Sequence, residues 1–126
     1  MSYPKVLRES LEEASRVYGG ILLELENASL VLLYEGEEAR LGTLAISIAG
    51  IKEGSSSSIL LGGENVVSAR VMAERLSQET GKMGLLSIFS RMDLDKTGGI
   101  RAYSRLLGLL LDKRTKAPKA SEGRAP

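Results

Sequence analysis

The sequence predicts an α+β fold, a mainly antiparallel sheet of about five strands with helices packed on one face. Three observations support this class. Two apolar runs flank a two-residue turn, as in a β-hairpin, and a segment between two glycine turns has the apolar period of a helix. The predicted elements follow in the order helix, four strands, helix, strand, helix, and strands that run together in sequence usually pair antiparallel.

Composition limits the chemistry that the chain can perform. The 126 residues are 43% hydrophobic but only 4% aromatic, which fits one domain with an aliphatic core. The chain contains no Cys and no His. Disulfides, the usual zinc sites, cysteine nucleophiles and histidine acid–base catalysis are therefore excluded. Ser/Lys pairs, carboxylates and Tyr are the catalytic groups that remain.

Charge is concentrated at the C-terminus. Residues 113–126 hold five of the 17 Lys and Arg but one of the 16 acidic residues, so residues 1–112 are slightly acidic. We expect a single domain at 1–112, a disordered basic tail at 113–126, and no nucleic-acid partner. Residues 1–20 do not resemble a signal peptide, and the apolar runs are too short to cross a bilayer. We therefore expect no membrane partner and a cytoplasmic location.

The first predicted element is a helix over residues 4–18. Its apolar residues recur at spacings of four, three and four, and charged residues occupy the other side. These apolar residues are Leu7, Leu11, Ala14 and Tyr18. Pro4 fits the first turn of such a helix, and Gly19-Gly20 would end it.

Four strands are predicted next. Residues 21–26 and 29–35 form a hairpin around Asn27-Ala28, and residues 41–49 and 58–61 are the third and fourth strands. The third strand has large residues on one face and small ones on the other, which would allow something to approach closely. Its large residues are Leu44, Ile46 and Ile48, and its small ones are Thr43, Ala45, Ser47 and Ala49. The serine-rich segment 52–57 is predicted to be a surface loop.

The remaining elements are a helix, a strand and a helix. Asn65 is a suitable N-cap for a helix that ends before Gly81, and Gly62-Gly63 would let this helix pack closely on the sheet. Residues 83–91 form an apolar strand. Leucines at spacings of three and four predict a last helix over residues 98–112.

One strand is apolar on both faces, which suggests a second subunit. Leu30, Leu32 and Tyr34 lie on one face, and Val31 and Leu33 lie on the other. Three helices can cover one face of a five-stranded sheet but hardly both, and the second face is too apolar to be left in water. We therefore expect it to pack in a dimer. The candidate partner-binding residues are Leu30, Leu32, Tyr34, Thr43, Ala45 and Ser47.

Two motifs suggest ligand sites, but each has a simpler interpretation. Residues 93–100 match the first half of a calcium loop, yet Arg101 and Ser104 stand where its later ligands are needed, so a turn rich in capping oxygens is favoured. Gly62-Gly63 precedes a helix as an anion loop would, but Glu64 would repel phosphate. We predict no catalytic residue, no metal and no cofactor.

Residues 58–111 resemble the proteasome assembly chaperone 3 and 4 family in the order and spacing of several short motifs. These are Ile59-Leu60-Leu61-Gly62, then Ala73-Glu74-Arg75-Leu76 and Gly81-Lys82, then the apolar strand at 83–90, and finally Asp95-Lys96 with the leucine-rich last helix. Upstream, Leu41-Gly42-Thr43-Leu44 is similar to a strand of chaperone 3. The likeness spans about residues 20–111.

The resemblance implies a non-enzymatic protein that binds proteasome α-subunits as a dimer and promotes assembly of their ring. The dimer would form with itself or with a sister chaperone. The helix at 4–18 and the basic tail depart from the family, and the tail lacks the hydrophobic-Tyr-any ending of some proteasome-binding factors. Two alternatives remain open: a dimeric α+β scaffold for another protein complex, and an enzyme that uses carboxylates and Tyr.

Overall fold

A six-stranded mixed sheet forms the centre of the molecule. The computed structural model describes residues 2–51 and 54–124, with the backbone alone at 50–51, 54–55 and 117–124. The strands are β1 (Lys5–Glu13), β2 (Arg16–Glu24), β3 (Ala28–Glu35), β4 (Thr43–Ile51), β5 (Gly54–Leu61) and β6 (Met83–Phe89). The helices are α1 (Val66–Thr80), α2 (Leu94–Thr97) and α3 (Arg101–Arg124).

The strand order is β1-β2-β3-β6-β4-β5. Every neighbouring pair is antiparallel except β3 and β6, which run parallel. The predicted α+β class with a mostly antiparallel sheet is confirmed. The sheet has six strands where about five were expected, because the N-terminal segment adds one.

The helix predicted for residues 4–18 is wrong, since this segment forms β1, a turn and the start of β2. Leu7 and Leu11 are four residues apart, a spacing that also places them on one face of a strand. The positions between and beyond them on that face are Glu9 and Glu13, and carboxylates are uncommon on the covered face of a strand. Both carboxylates are paired with α3, Glu9 with Lys113 at 3.3 Å and Glu13 with Arg105 at 3.1 Å.

The turn between β1 and β2 carries no recognisable sequence signal. Ala14 and Ser15 both have positive φ, 53° and 65°. A two-residue hairpin turn of this shape is usually built from Asn, Asp or Gly. The Gly19-Gly20 pair that was predicted to end a helix lies inside β2 instead. A Cβ on Gly20 would lie 2.9 Å from Leu110, so this glycine lets α3 pack closely on the strand.

Two other segments differ from prediction. The serine-rich loop is largely strand, because β5 begins at Gly54, while residues 52 and 53 lie outside the described part. The tail predicted to be disordered from residue 113 continues α3 to Arg124, while residues 125–126 lie outside the described part. The first basic residues of this segment form ion pairs with distant strands, which composition alone does not reveal. Lys113 pairs with Glu9, and Arg114 pairs with Glu24 at 2.8 Å.

Both long helices pack on one face of the sheet. Helix α1 contacts β4, β5 and β6, and α3 contacts β1, β2 and β3. The core between them is aliphatic, with Tyr18 and Tyr103 in an edge-to-face contact at 5.1 Å between ring centroids. The fully buried side chains include Leu22, Val31, Leu33, Leu76, Leu86, Ile88, Leu106, Leu107 and Leu110.

Small residues allow α1 to approach the sheet. Ala45 and Ser47 of β4 are completely buried beneath it, and the Ser47 and Ser77 hydroxyls lie 2.9 Å apart. A Cβ on Gly84 would sit 3.2 Å from Leu76. The predicted boundaries of α1 are close to those observed. Gly81 caps its C-terminus with φ 71° and donates its N–H to the Ser77 carbonyl.

Candidate functional site

The face of the sheet opposite the helices is the strongest candidate for a binding surface, and we call it the open face. Strand register assigns its residues, because side chains alternate along each strand. Across β2, β3, β6 and β4 the open-face residues are almost all apolar. The apolar ones include Val17, Ile21, Leu23, Leu30, Leu32, Tyr34, Leu85, Phe89, Leu44, Ile46 and Ile48.

These side chains are half-buried by one another or exposed, whereas those on the helix face are fully buried. Ile48 is 50% exposed and Val17 is 36% exposed. Contiguous apolar surface of this kind on a single chain usually marks a protein–protein contact.

The outer strands are more polar on this face. On β1 the open-face positions are Val6, Arg8, Ser10 and Glu12, and on β5 they include Ser56 and Ser58. At one end of the face, Arg40 and Arg91 lie 5.5 and 5.3 Å from the centroid of the Phe89 ring. An apolar centre with a polar and charged rim is the usual anatomy of a protein–protein interface.

Three of the six predicted partner-binding residues lie on the open face. Leu30, Leu32 and Tyr34 all come from β3, at the centre of the surface. The Tyr34 ring packs across the neighbouring strand at Gly19, where a Cβ would lie 2.5 Å from the ring. Because Gly19 has no side chain, the Tyr34 ring can lie over this position of the neighbouring strand.

The other three predicted residues lie on the opposite side. Thr43, Ala45 and Ser47 are buried on the helix face, with exposures of 6% or less. What approaches the small side of β4 is α1 of the same chain. Thr43 donates a hydrogen bond to the Glu64 carbonyl, which holds the turn before α1. The large residues of β4, which were not chosen from the sequence, are the ones that extend the open face.

One carboxylate of the half-matched calcium loop, Asp95, binds the first turn of α1, the helix that follows Gly62-Gly63. Asp95 accepts hydrogen bonds from the Val67 amide at 3.1 Å, the Ser68 amide at 2.9 Å and the Ser68 hydroxyl at 2.6 Å. Burial acts to raise the pKa of Asp95, but these hydrogen bonds outweigh it and hold the pKa below its ordinary value. The N-terminus of α1 is thus capped from within the chain.

Asn65 was predicted to cap α1, but its side chain has a different role. The backbone of Asn65 has φ 57°, and its side chain makes no capping hydrogen bond to the helix. The side-chain Nδ2 of Asn65 donates to the Met92 carbonyl at 3.2 Å, and its Oδ1 accepts from the Leu94 backbone amide at 2.7 Å. A polar cavity of about 410 Å³ lies beside it, next to Arg91, Asp93 and Lys96. Asp95, which also lines the cavity, is already bound to α1.

The ionisable groups on the helix face are engaged in structural contacts. Glu24 is 3% exposed and meets both Lys82 and Arg114 at 2.8 Å. Tyr103 donates its hydroxyl to the Phe89 carbonyl at 2.9 Å, and burial raises its pKa. Within the described residues, no group of three or more acidic side chains could hold a metal ion. Through these contacts Glu24 and Tyr103 stabilise the fold.

The comparisons with known proteins leave the family open. The chain matches no protein-family model, and the search of curated proteins finds no significant match. Among the described residues, no helix is both long enough and apolar enough to cross a membrane.

Proposed function

We propose that the chain is a non-enzymatic, dimeric assembly chaperone that binds proteasome α-subunits and promotes formation of the α-ring. The observation that carries the proposal is the open face, an apolar sheet surface with a more polar rim, on a chain whose buried Glu24 and Tyr103 are engaged in folding. The resemblance of residues 58–111 to the proteasome assembly chaperone 3 and 4 family supplies the class of client.

The open face supports a dimer by its chemistry. Two such faces, packed sheet on sheet about 10 Å apart, would remove the apolar centre from water. Leu30 and Leu32 lie at the middle of this surface, where truncation or charge usually has the largest effect on association. The partner is a second copy of the chain or a sister chaperone with a matching face.

Dimerisation would leave α1 and α3 on the outside of the pair. Helix α1 carries two exposed valines, Val67 at 60% and Val71 at 54%. These outer surfaces are where an α-subunit would be held, since the open faces would be occupied by each other.

Co-expression with proteasome α-subunits tests the proposal. The products are separated by size exclusion with light scattering, and the yield of α-rings is compared with and without the chain. We expect co-elution with an α-subunit and a higher ring yield. The Leu32→Glu variant should lose association through the open face, while Val71→Glu, with the same charge change on the helix side, should keep it.

If the chain elutes alone and rings form equally well without it, the chaperone proposal fails. If it dimerises through the open face but ignores α-subunits, the alternative of a dimeric α+β scaffold for another complex is favoured.

A further inference from the structure

The two edges of the sheet differ in how they are protected. Edge strands expose unpaired backbone N–H and C=O groups, and natural proteins usually guard them with charges or proline. The outer strand β1 follows this rule, with charged side chains at Lys5, Arg8, Glu9, Glu12 and Glu13. The other outer strand, β5, has the sequence GSSSSILL, which contains neither a charge nor a proline.

From this contrast we propose that β5 pairs antiparallel with β5 of a second copy across a two-fold axis, joining two six-stranded sheets into one. The strand suits self-pairing, because a two-fold axis brings the same residues together and like charges opposite each other would repel. Ser56, Ser57 and Ser58 at its middle are small and uncharged.

The helix above β5 supplies charge complementarity. The Ser57 hydroxyl lies between two side chains of α1: the Arg70 Nε donates to it at 3.1 Å, and it donates to the Glu74 carboxylate at 2.5 Å. Arg70 and Glu74 therefore point toward the β5 edge, one helical turn apart.

A two-fold axis through the middle of β5 would place the second α1 antiparallel beside the first. Helix α1 contacts β4, β5 and β6. With strands about 4.8 Å apart, the two β4 strands would be about 14 Å apart, and the two helices would be separated by a similar distance. Arg70 of one copy would then face Glu74 of the other, and Glu74 would face Arg70. A pattern of one cation and one anion about the axis is self-complementary.

A second copy fits the edge better than an unrelated extended peptide does. A single added strand would pair with the backbone of β5 but would place no helix opposite Arg70 and Glu74. The proposal does not depend on the chaperone function, and it uses the β5 edge and α1 and not the apolar centre of the open face.

The test measures association and edge protection together. In the Leu32→Glu background, which removes any contact through the open face, size exclusion with light scattering should give twice the 13.5 kDa mass of the chain. Arg70→Glu and Glu74→Arg should each weaken this dimer by about tenfold or more, because each creates two like-charge contacts. The double variant Arg70→Glu/Glu74→Arg restores complementarity and should restore the dimer.

Arg101→Glu is the matched control, an exposed charge reversal at the start of α3 that should leave the mass unchanged. Circular dichroism checks that each variant is folded. Backbone amide exchange should be slower at 56–61 than on β1, and Arg70→Glu should abolish this protection. Monomeric mass for the Leu32→Glu chain, failure of the charge-swapped double variant to recover, or exchange at β5 as fast as at β1 would each overturn the proposal.

Discussion

The two faces of the sheet are made by the same strands, but they bury different kinds of side chain. On β4, the helix face holds Thr43, Ala45 and Ser47, while the open face holds the larger Leu44, Ile46 and Ile48. The helix face is the buried one, although its β4 residues are smaller and more polar. Helix α1 needs small residues beneath it to come close, and its own side chains then fill the core. Hydrophobicity alone therefore does not identify the core face of this strand.

The sharpest test of this comparison places the same charge on neighbouring residues of β4. Ala45→Lys buries a cation under α1 in a fully enclosed position, and we expect loss of the folded state. Ile46→Lys places the charge on the open face, and we expect a folded chain with weaker self-association. Circular dichroism and thermal unfolding of the two variants measure the difference. Equal stability of the two would mean that the faces are assigned wrongly.

A second test removes the buried carboxylate at the end of β2. Glu24→Gln leaves Lys82 and Arg114 without their shared partner, and we expect a loss of about 2–4 kcal/mol in the free energy of unfolding, since both cations remain partly exposed. Glu26→Gln, an exposed neighbour, is the matched control and should change stability little. Urea unfolding at pH 7 measures both.

The pH dependence of Glu24 follows from its environment. Burial acts to raise its pKa, but hydrogen bonds and charge from Arg114 and Lys82 outweigh it and lower the pKa below 4.5. Its stabilisation is therefore present above pH 4.5 and is lost as the pH falls through the lowered value. The stabilities of wild type and Glu24→Gln should converge below pH 4.5. A gap that persists at lower pH would show that the carboxylate acts by packing and not by charge.

The third test loosens α1 from the helix face. Asp95→Asn removes the negative charge that caps the first turn of α1, and we expect a loss of about 1 kcal/mol. Asp112→Asn on α3 is a matched change at an exposed ion pair and should have a smaller effect. Amide exchange at Val67 and Ser68 should quicken in the first variant only.

The smallest effect on folding is expected from Leu32→Glu. Its side chain is half-buried on the open face, so the free energy of unfolding of the monomer should fall by less than about 1 kcal/mol. Unfolding is measured at low protein concentration, where dissociation does not contribute. A loss as large as that of Ala45→Lys would mean that the open face is part of the core of a single chain.

Much of the fold could be predicted where one signal dominates the local sequence. The β2–β3 hairpin, β4, α1, β6 and the first turns of α3 lie close to their expected positions, because each has a single period and a recognisable end. The first strand was missed because Leu7 and Leu11 fit both periods, and because the glutamates that share their face find their cations more than ninety residues later.

The sequence predicted an apolar sheet face, but the six residues chosen from it do not all lie on one face. Alternation along β3 shows that Leu30, Leu32 and Tyr34 share a face, whereas Val31 and Leu33 share the other. The sequence does not show which face of β4 lies on the same side of the sheet as a given face of β3, because β6 lies between the two strands. Register with β6 settles it: Leu32 and Leu44 both pair with Ser87, so they share a side. This is why the sequence prediction grouped Leu30, Leu32 and Tyr34 with Thr43, Ala45 and Ser47, which lie on the opposite face.

The central position of β6 has a consequence for the growing chain. Among the described strands, β1–β3 form a meander and β4–β5 form a hairpin, and β6 is the strand that pairs with both. During synthesis both parts leave the ribosome before β6 does, with the apolar edges of β3 and β4 still unpaired. Such edges favour aggregation until the chain past residue 89 has emerged and inserted between them. The nascent protein therefore keeps both of these edges unpaired until its last strand is made.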